Sequence, residues 1–401
     1  MKIPDFLSRD DYLQNPIMRR FLKEHKLKFA ETRVDYVKAI ETYANQSEEN
    51  EDEVRKWLLK ILKEGSKDIC YRKIYYIDEM YKNLDVVENK IKEIYPKCPK
   101  VDVLSYKNTG NKEMIDYQII VEDDEVKKVE FTFSKLFLYG KVGTLGDVTI
   151  FPVFIEIYMD KGFIISRSKA KSTLFAYDEQ NKYLDPDYKK DTMTYAVELL
   201  DEIVDGFRFE VERNAKLVKA KNSQMLYKLY EKYSFTPNDV EEKVKSQEGV
   251  INQFVNQFFS NLGLQSVNKT TALLDAKILV EKFISINGDN EEIFKKDRSA
   301  YLIKVSTDDD AELTKIDTAS FKGVPLQCTE IFFDGKKSVM KGKQCKGLHM
   351  IFRREDETYF TKANPLVVRL GANKNYGYIK TMQYAEEADI QNVLQAIFEN
   401  Y

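Results

Sequence analysis

Histidine is scarce in this sequence, and its scarcity excludes several classes of active site. The chain has 401 residues but only two histidines, His25 and His349, which lie far apart. Catalytic triads, facial-triad iron sites and histidine-rich zinc sites all need histidine at defined positions. An enzyme built from this sequence would depend on carboxylates, lysines or hydroxyl groups. Because no complete catalytic motif of that kind is present, the sequence favours a protein that is not an enzyme.

Cysteine and long apolar segments are also few. The four cysteines, Cys70, Cys98, Cys328 and Cys345, form no CxxC pair. Cys328 and Cys345 with His349 would supply only three of the four ligands that a structural zinc site needs. No apolar run approaches the ~18 residues that a membrane-spanning helix requires. We therefore expect a soluble, cytoplasmic protein with separate reduced thiols, no membrane partner, and no cofactor or metal.

The chain also lacks an excess of positive charge. Its 63 Lys and Arg residues are balanced by 66 Asp and Glu residues, so the net charge is −3. General attraction to nucleic acid or to an anionic membrane is therefore absent, and any such binding must come from a local patch. Aromatic residues, by contrast, make up 12% of the chain. This proportion is too high for a disordered protein and predicts that most of the chain folds.

The spacing of apolar residues predicts an α+β protein in which helical and β-rich segments alternate. The C-terminal segment has expected turns at 334–335 and 355–356. The predicted regions are a helical N-terminal region at 1–98, a β-rich module at 101–185, a second helical region at 190–298, and a β-rich C-terminal module at 300–401 with a closing helix.

Several helices are predicted by apolar stripes and capping residues. Residues 53–62 carry one amphipathic stripe, and a second stripe at 74–94 predicts a further helix. In the second helical region, residues 250–262 are apolar enough to predict a buried helix. Asp191 and Thr236 are expected to cap the helices that follow them.

Two hairpins are predicted in the first β-rich module. Residues 115–133 alternate in polarity around an acidic turn at 122–125, and residues 151–165 alternate around a turn that contains Gly162. The glycine-rich segment at 140–146 lacks the ending of a phosphate-binding loop and leads into a strand. It therefore predicts an ordinary connection between strands.

The most informative functional signal is a run of cations at 163–172. If this segment is a strand, Arg167, Lys169 and Lys171 lie on one face at intervals of about 6.5–7 Å. That spacing resembles the spacing of phosphates along a single nucleic-acid strand. The alternative interpretation is an edge strand whose lysines prevent aggregation.

A second basic run extends this candidate site. Arg213, Lys216 and Lys219 lie on the next helical segment, where they could lengthen the cationic surface. Together with the strand cations, they predict a protein that binds DNA or RNA through phosphate contacts, without sequence specificity.

Two other functions stay open. Asp116, Glu125 and Lys127 have the order of a metal-dependent nuclease core, although their position in and near a polar turn argues against it. A third hypothesis is a protein-interaction subunit of a larger complex. Its main support is the apolar segment 254–264, which is also typical of a core helix.

Overall fold

The protein is described here by a computed structural model, which confirms the α+β class. It combines antiparallel sheet with numerous helices. The residues described are 1–8, 12–28, 31–107, 110–170, 174–287, 291–309, 314–319, 323–354 and 365–401.

Helices account for more of the described chain than strands do. Short 3₁₀ turns lie at Glu79–Lys82, Pro186–Tyr188 and Leu326–Cys328. The α-helices are α1 (Asp5–Ser8), α2 (Asn15–Glu24), α3 (Arg33–Ala44), α4 (Glu48–Lys63), α5 (Leu84–Ile94), α6 (Thr192–Phe207), α7 (Ala215–Ser234), α8 (Asn238–Ser246), α9 (Glu248–Asn261), α10 (Thr270–Ile286), α11 (Glu291–Lys295), α12 (Glu330–Gly342) and α13 (Glu387–Phe398).

The strands pair in antiparallel fashion. They are β1 (Lys67–Tyr76), β2 (Glu113–Glu122), β3 (Glu125–Tyr139), β4 (Asp147–Tyr158), β5 (Phe163–Lys169), β6 (Leu174–Ala176), β7 (Glu210–Val211), β8 (Ala300–Asp309), β9 (Thr314–Ala319), β10 (Gly347–Phe352), β11 (Leu366–Ala372) and β12 (Gly377–Thr381).

The chain divides into two compact units. The first contains Met1–Asn214 and Asn375–Gln391, and the second contains Ala215–Glu355, Pro365–Lys374 and Asn392–Tyr401. The sheet of the first unit has the strand order β2-β3-β4-β5-β1-β12, with β6 beside β3 and β7 beside β1. In the second unit the order is β11-β10-β8-β9.

Apolar side chains of the first unit form two main cores. One contains Phe131 and Phe133 of β3, which pack with Ile91 of α5 and Phe207 of α6. The other is built by α1–α4 around Phe21 and Leu58, and it includes Phe154 of β4. Strands β3 and β4 contribute side chains to these cores and are held in place by them. Burial of apolar side chains is the main stabilising contribution to folding.

In the second unit, α7 packs on the sheet and three further helices form a separate layer. Helix α7 contacts β8, β10 and β11, and α10 contacts α8, α9 and α12. The described part of this layer runs without interruption from α8 to the end of α10. It carries the surface considered below.

Local sequence signals predicted several of these elements correctly. Helix α4 includes the predicted stripe at 53–62. In the first hairpin, Asp123 and Asp124 adopt φ angles of 52° and 61°, a conformation that aspartate tolerates in tight turns. Gly162 has a φ of 63° in the second hairpin. The Asp191 carboxylate accepts the backbone N–H of Met193 at 2.9 Å and therefore caps α6.

Three local predictions were wrong. Most of the predicted helix at 74–94 is present as α5, but its first residues belong to β1, which is paired on both sides. Asp334 and Gly335 lie inside α12 instead of in a turn. The Thr236 hydroxyl donates to Glu281 at 2.6 Å and does not cap α8. The turn expected at 355–356 lies outside the described residues.

Candidate functional site

The predicted basic strand is β5, and it lies inside the sheet. It pairs with β4 on one side and β1 on the other, so it is not the edge strand of the alternative interpretation. The side chain of Arg167 is 0% exposed, and Lys169 is 8% exposed. In this structure neither side chain can contact the phosphates of a bound nucleic acid. Lys171 lies outside the described residues.

Two carboxylates explain how Arg167 is accommodated inside the protein: Glu156 is 1% exposed, and Glu387 has a side chain that is 39% exposed. Its guanidinium lies 2.8 Å from Glu156 Oε1 and also donates to both carboxylate oxygens of Glu387. Lys128 Nζ lies 2.7 Å from the other oxygen of Glu156. Such pairing is required because an uncompensated buried charge is strongly destabilising. Arg167, Glu156, Glu387 and Lys128 are called the buried charge cluster below.

The cluster controls the protonation of its two carboxyl groups. Burial alone would raise the pKa of Glu156, but the Arg167 and Lys128 charges outweigh it and hold this pKa below the usual value. The pKa of Glu387 is also lowered, since Arg167 overcomes the effect of burial there. Both groups therefore carry negative charge at neutral pH and match the cations.

A buried lysine, Lys67, lies beside the cluster. Lys67 of β1 is directly opposite Lys169 in the register of β1 and β5, and its ammonium donates to the carbonyl of Leu62. Burial, followed by the nearby Lys169 and Arg167 charges, lowers the pKa of Lys67 well below its usual value. These groups lie in the interior and do not form an accessible surface.

The other predicted cations are divided between the two units. Arg213 belongs to the first unit and forms an exposed ion pair with Asp205. Lys216 and Lys219 begin α7, in the second unit. The structure therefore separates the predicted nucleic-acid-binding residues into an interior group and a surface group. Nucleic-acid binding itself stays a prediction.

The residues of the nuclease hypothesis are also kept apart. Asp116 is paired with Thr132 on β3, whereas Glu125 is the first residue of β3. Seven residues of extended chain place them about 20 Å apart. Glu125 bonds instead to Lys127, at 2.8 Å, and this contact lowers the pKa of its carboxyl group. Within the part of the chain that the structure describes, no three His, Cys, Asp or Glu residues are grouped to hold a metal ion.

The surface that does stand out is on α9, where an apolar stripe faces solvent. Val250, Phe254, Phe258 and Leu262 follow one another at intervals of four residues and are 63%, 62%, 52% and 56% exposed. A four-residue spacing places side chains on the same face of a helix. The rings of Phe254 and Phe258 are stacked, with their centroids 6.3 Å apart. These four side chains are called the α9 apolar surface.

Helix α9 has a second apolar stripe, and only that stripe is buried. Ile251 and Val255 are 5% and 3% exposed and face the protein. The sequence prediction of a buried helix was therefore right for one face and wrong for the other. The sequence does indicate that one face of α9 stays exposed, since a helix that packs on one side needs only one apolar stripe and α9 has two adjacent ones.

The neighbouring helix α10 is also incompletely covered. Leu274, Leu279 and Phe283 are 45%, 53% and 52% exposed. Leu279 and Phe283, with Lys243 of α8, line a cavity of about 510 Å³ on this layer. Exposed apolar side chains on α9, on α10 and in the connection between them thus cluster in one continuous segment of the chain.

Charged side chains are absent from the centre of this segment. Residues 249–268 contain no Asp, Glu, Lys, Arg or His, although 32% of the whole chain is charged. The nearest charges are satisfied locally: Glu248 pairs with Lys277, and Lys269 donates to Asn256 at 2.8 Å. A solvent-facing helix normally carries charged residues on its outer face, so this composition is typical of a surface that another protein covers.

Throughout the described ranges, none of the helices has the length and apolar character needed to cross a membrane. No protein-family model matches the sequence, and no curated protein matches it either.

Proposed function

We propose that this chain is a protein-interaction subunit that binds a protein partner through the α9 apolar surface. The observation that carries the proposal is the exposure of Phe254 and Phe258 on a helix whose adjacent apolar stripe is already buried. A fully exposed apolar side chain presents about 170 Å² of surface. With their observed exposures, the four side chains of the stripe therefore present on the order of 400 Å² together. This area equals that of the largest apolar patch on a typical monomer, which is often a functional surface.

The chemistry of the surface defines the occupant. Covering a half-exposed phenylalanine contributes on the order of 1–2 kcal/mol, and aromatic residues dominate the energetics of protein interfaces. The asparagine and glutamine residues beside the stripe can form hydrogen bonds at the rim without introducing charge. The surface therefore fits an uncharged, apolar protein face, and it does not fit a nucleic-acid backbone, which needs cations.

Site-specific photo-crosslinking in cells tests this function. A benzophenone amino acid replaces Phe254 in one variant and Val34 in the control, because Val34 is 74% exposed but lies on α3 in the first unit. We expect a defined protein adduct only at position 254, with its mass and identity established by mass spectrometry. Absence of an adduct at 254, or the same adduct at both positions, would overturn the proposal.

A further inference from the structure

We infer that the occupant of the α9 apolar surface is a second copy of this chain, held by an antiparallel contact between two α9 helices about a two-fold axis. This inference rests on the proposed function and names its partner. It follows from three properties of the segment: the order of its apolar residues, its lack of charge, and the area that it exposes.

The order of the apolar residues is the same in both directions along the helix. The stripe reads Val250, Phe254, Phe258, Leu262, which is aliphatic, aromatic, aromatic, aliphatic. In an antiparallel contact centred between the two rings, Val250 of one copy meets Leu262 of the other, and Phe254 meets Phe258. A two-fold interface must be self-complementary in this way, since one patch contacts itself. Aromatic pairs of this kind add about 0.5–1.5 kcal/mol beyond the area that they bury.

The lack of charge is also what a two-fold contact requires. A residue near the axis faces its own copy, so a lysine or glutamate there would meet a like charge. Residues 249–268 avoid this repulsion completely. A different protein partner would favour complementary charges around the contact, because these steer association and give specificity. The segment has none to offer.

The exposed area fits a stable dimer. Between residues 250 and 283, nine apolar side chains are more than two-fifths exposed: Val250, Phe254, Phe258, Leu262, Leu264, Val267, Leu274, Leu279 and Phe283. Together they present on the order of 800 Å², and the four side chains of the α9 apolar surface supply about half of it, compared with the 800 Å² or so that each partner contributes to a standard protein interface. Helix α9 has 14 residues and is therefore about 21 Å long, which is long enough to carry the centre of such an interface.

Analytical ultracentrifugation of the purified full chain tests the inference. We expect a reversible dimer with twice the 47.0 kDa mass of the chain. In the double variant Phe254→Glu with Phe258→Glu, four carboxylates would meet at the axis, and self-association should weaken at least about 100-fold. Both side chains are exposed, so far-UV circular dichroism and the urea midpoint should stay close to those of the wild type.

A matched control distinguishes the surface from a general effect of added charge. Val34→Glu with Leu145→Glu also replaces two exposed apolar side chains, which are 74% and 78% exposed and lie in the first unit. This variant should dimerise like the wild type. A wild type that is monomeric throughout the micromolar range would overturn the inference, and so would a dimer that persists in the variant with two glutamates on α9.

The photo-crosslinking result separates this inference from the proposed function. If the adduct at position 254 contains a different protein and the purified chain is monomeric, the proposed function stands and the inference of a dimer is wrong. If no adduct forms and the chain is monomeric, the proposed function and the inference of a dimer are both wrong. An adduct of two copies of this chain, together with a dimer in the centrifuge, supports both.

Discussion

At the scale of single residues, Arg167 shows how burial changes the role of a charged side chain. It is 0% exposed, and its guanidinium is shared between Glu156 and Glu387. Removing it would leave Glu156, which is 1% exposed, without its main counter-charge. The residue thus stabilises the first unit and does not serve as a contact point for a ligand.

The substitution Arg167→Gln should lower the free energy of unfolding by about 3–5 kcal/mol, because it leaves the buried Glu156 carboxylate with Lys128 as its remaining counter-charge. Arg213→Gln is the matched control, since Arg213 also pairs with a carboxylate but is 58% exposed. Exposed pairs contribute little, so the control should change stability by less than about 1 kcal/mol. Urea denaturation measures both values, and similar effects for the two variants would contradict the assignment.

The buried charge cluster also predicts a dependence on pH. The folded-state pKa values of Glu156 and Glu387 lie below their ordinary value of about 4.3. Their contribution to stability is therefore complete above about pH 4.3 and is lost as the pH falls through the folded-state values. Burial raises the pKa of Glu64 and Asp68, which act in the opposite direction.

Comparison with Glu387→Gln isolates the cluster from these opposing groups. Between about pH 5 and pH 3, the free energy of unfolding of the wild type should fall more steeply than that of the variant, because the variant lacks one of the depressed carboxyl groups. Urea titrations at several pH values measure the two slopes. Equal slopes would show that Glu387 is not depressed by Arg167.

At the scale of elements, the pairing of β1 with β12 depends on a close approach at Gly377. Gly377 is directly opposite Tyr71 in the register, and a Cβ atom there would lie 2.0 Å from Tyr71 Cζ. The Tyr71 side chain is 1% exposed and is enclosed by its neighbours. The absence of a side chain at 377 is therefore a packing requirement of the sheet.

Gly377→Ala should destabilise the chain by about 1–3 kcal/mol through overpacking. The control is Gly342→Ala at the end of α12, where a Cβ atom would meet nothing within 4 Å. Alanine has the higher helix propensity, so this control should be neutral or slightly stabilising. Thermal unfolding compares the two, and an undisturbed midpoint in Gly377→Ala would contradict the close approach.

The cap of α6 gives a second prediction at this scale. The Asp191 carboxylate accepts the backbone N–H groups of Met193 and Thr194. Asp191→Ala should cost about 1 kcal/mol, because these donors lose their partner at the start of the helix. Asp191→Asn preserves an accepting oxygen and should recover most of the loss in a urea titration. A loss of equal size in the two variants would contradict a capping role.

At the scale of the whole molecule, salt distinguishes the two kinds of partner that the sequence suggested. An apolar contact without charges should have a dissociation constant that hardly changes between low and high sodium chloride concentrations. Binding to nucleic acid, by contrast, weakens steeply as salt rises. Sedimentation of the chain at two salt concentrations measures the first, and a dimer that dissociates at high salt would contradict an apolar interface.

The nucleic-acid hypothesis needs variants chosen from the structure. Replacing Arg167 by Glu would place a third carboxylate in the buried charge cluster, so loss of binding would report unfolding. Arg213, Lys216 and Lys219 provide better positions, since Arg213 and Lys216 are exposed. Fluorescence anisotropy with labelled single-stranded DNA and RNA tests the hypothesis at two salt concentrations. If these residues contact phosphates, binding should weaken as salt rises, and this salt dependence should become smaller when all three residues are replaced by Gln. An unchanged salt dependence, or no binding at low salt, would contradict the hypothesis.

Local chemistry in the sequence was sufficient for several elements of this protein. The stripe of α4, the aspartates of the first hairpin turn and the Asp191 cap all act within a few residues, so their spacing predicts them. The α+β class follows from the same patterns. Only the tertiary structure decided which side chains are covered, since that depends on strands and helices that are distant in sequence.

Three cases show the physical reason. Residues 67–76 became a strand because β5 and β12 pair with them on both sides, which outweighs their partly helical pattern. Arg167 is interior because Glu156 and Glu387 arrive from other elements to compensate it. On α9, the sequence shows two apolar stripes, but packing against neighbouring helices, α8 and α10 among them, determines which stripe is buried and which faces solvent. Periodicity is a property of one segment, whereas burial is a property of its neighbours.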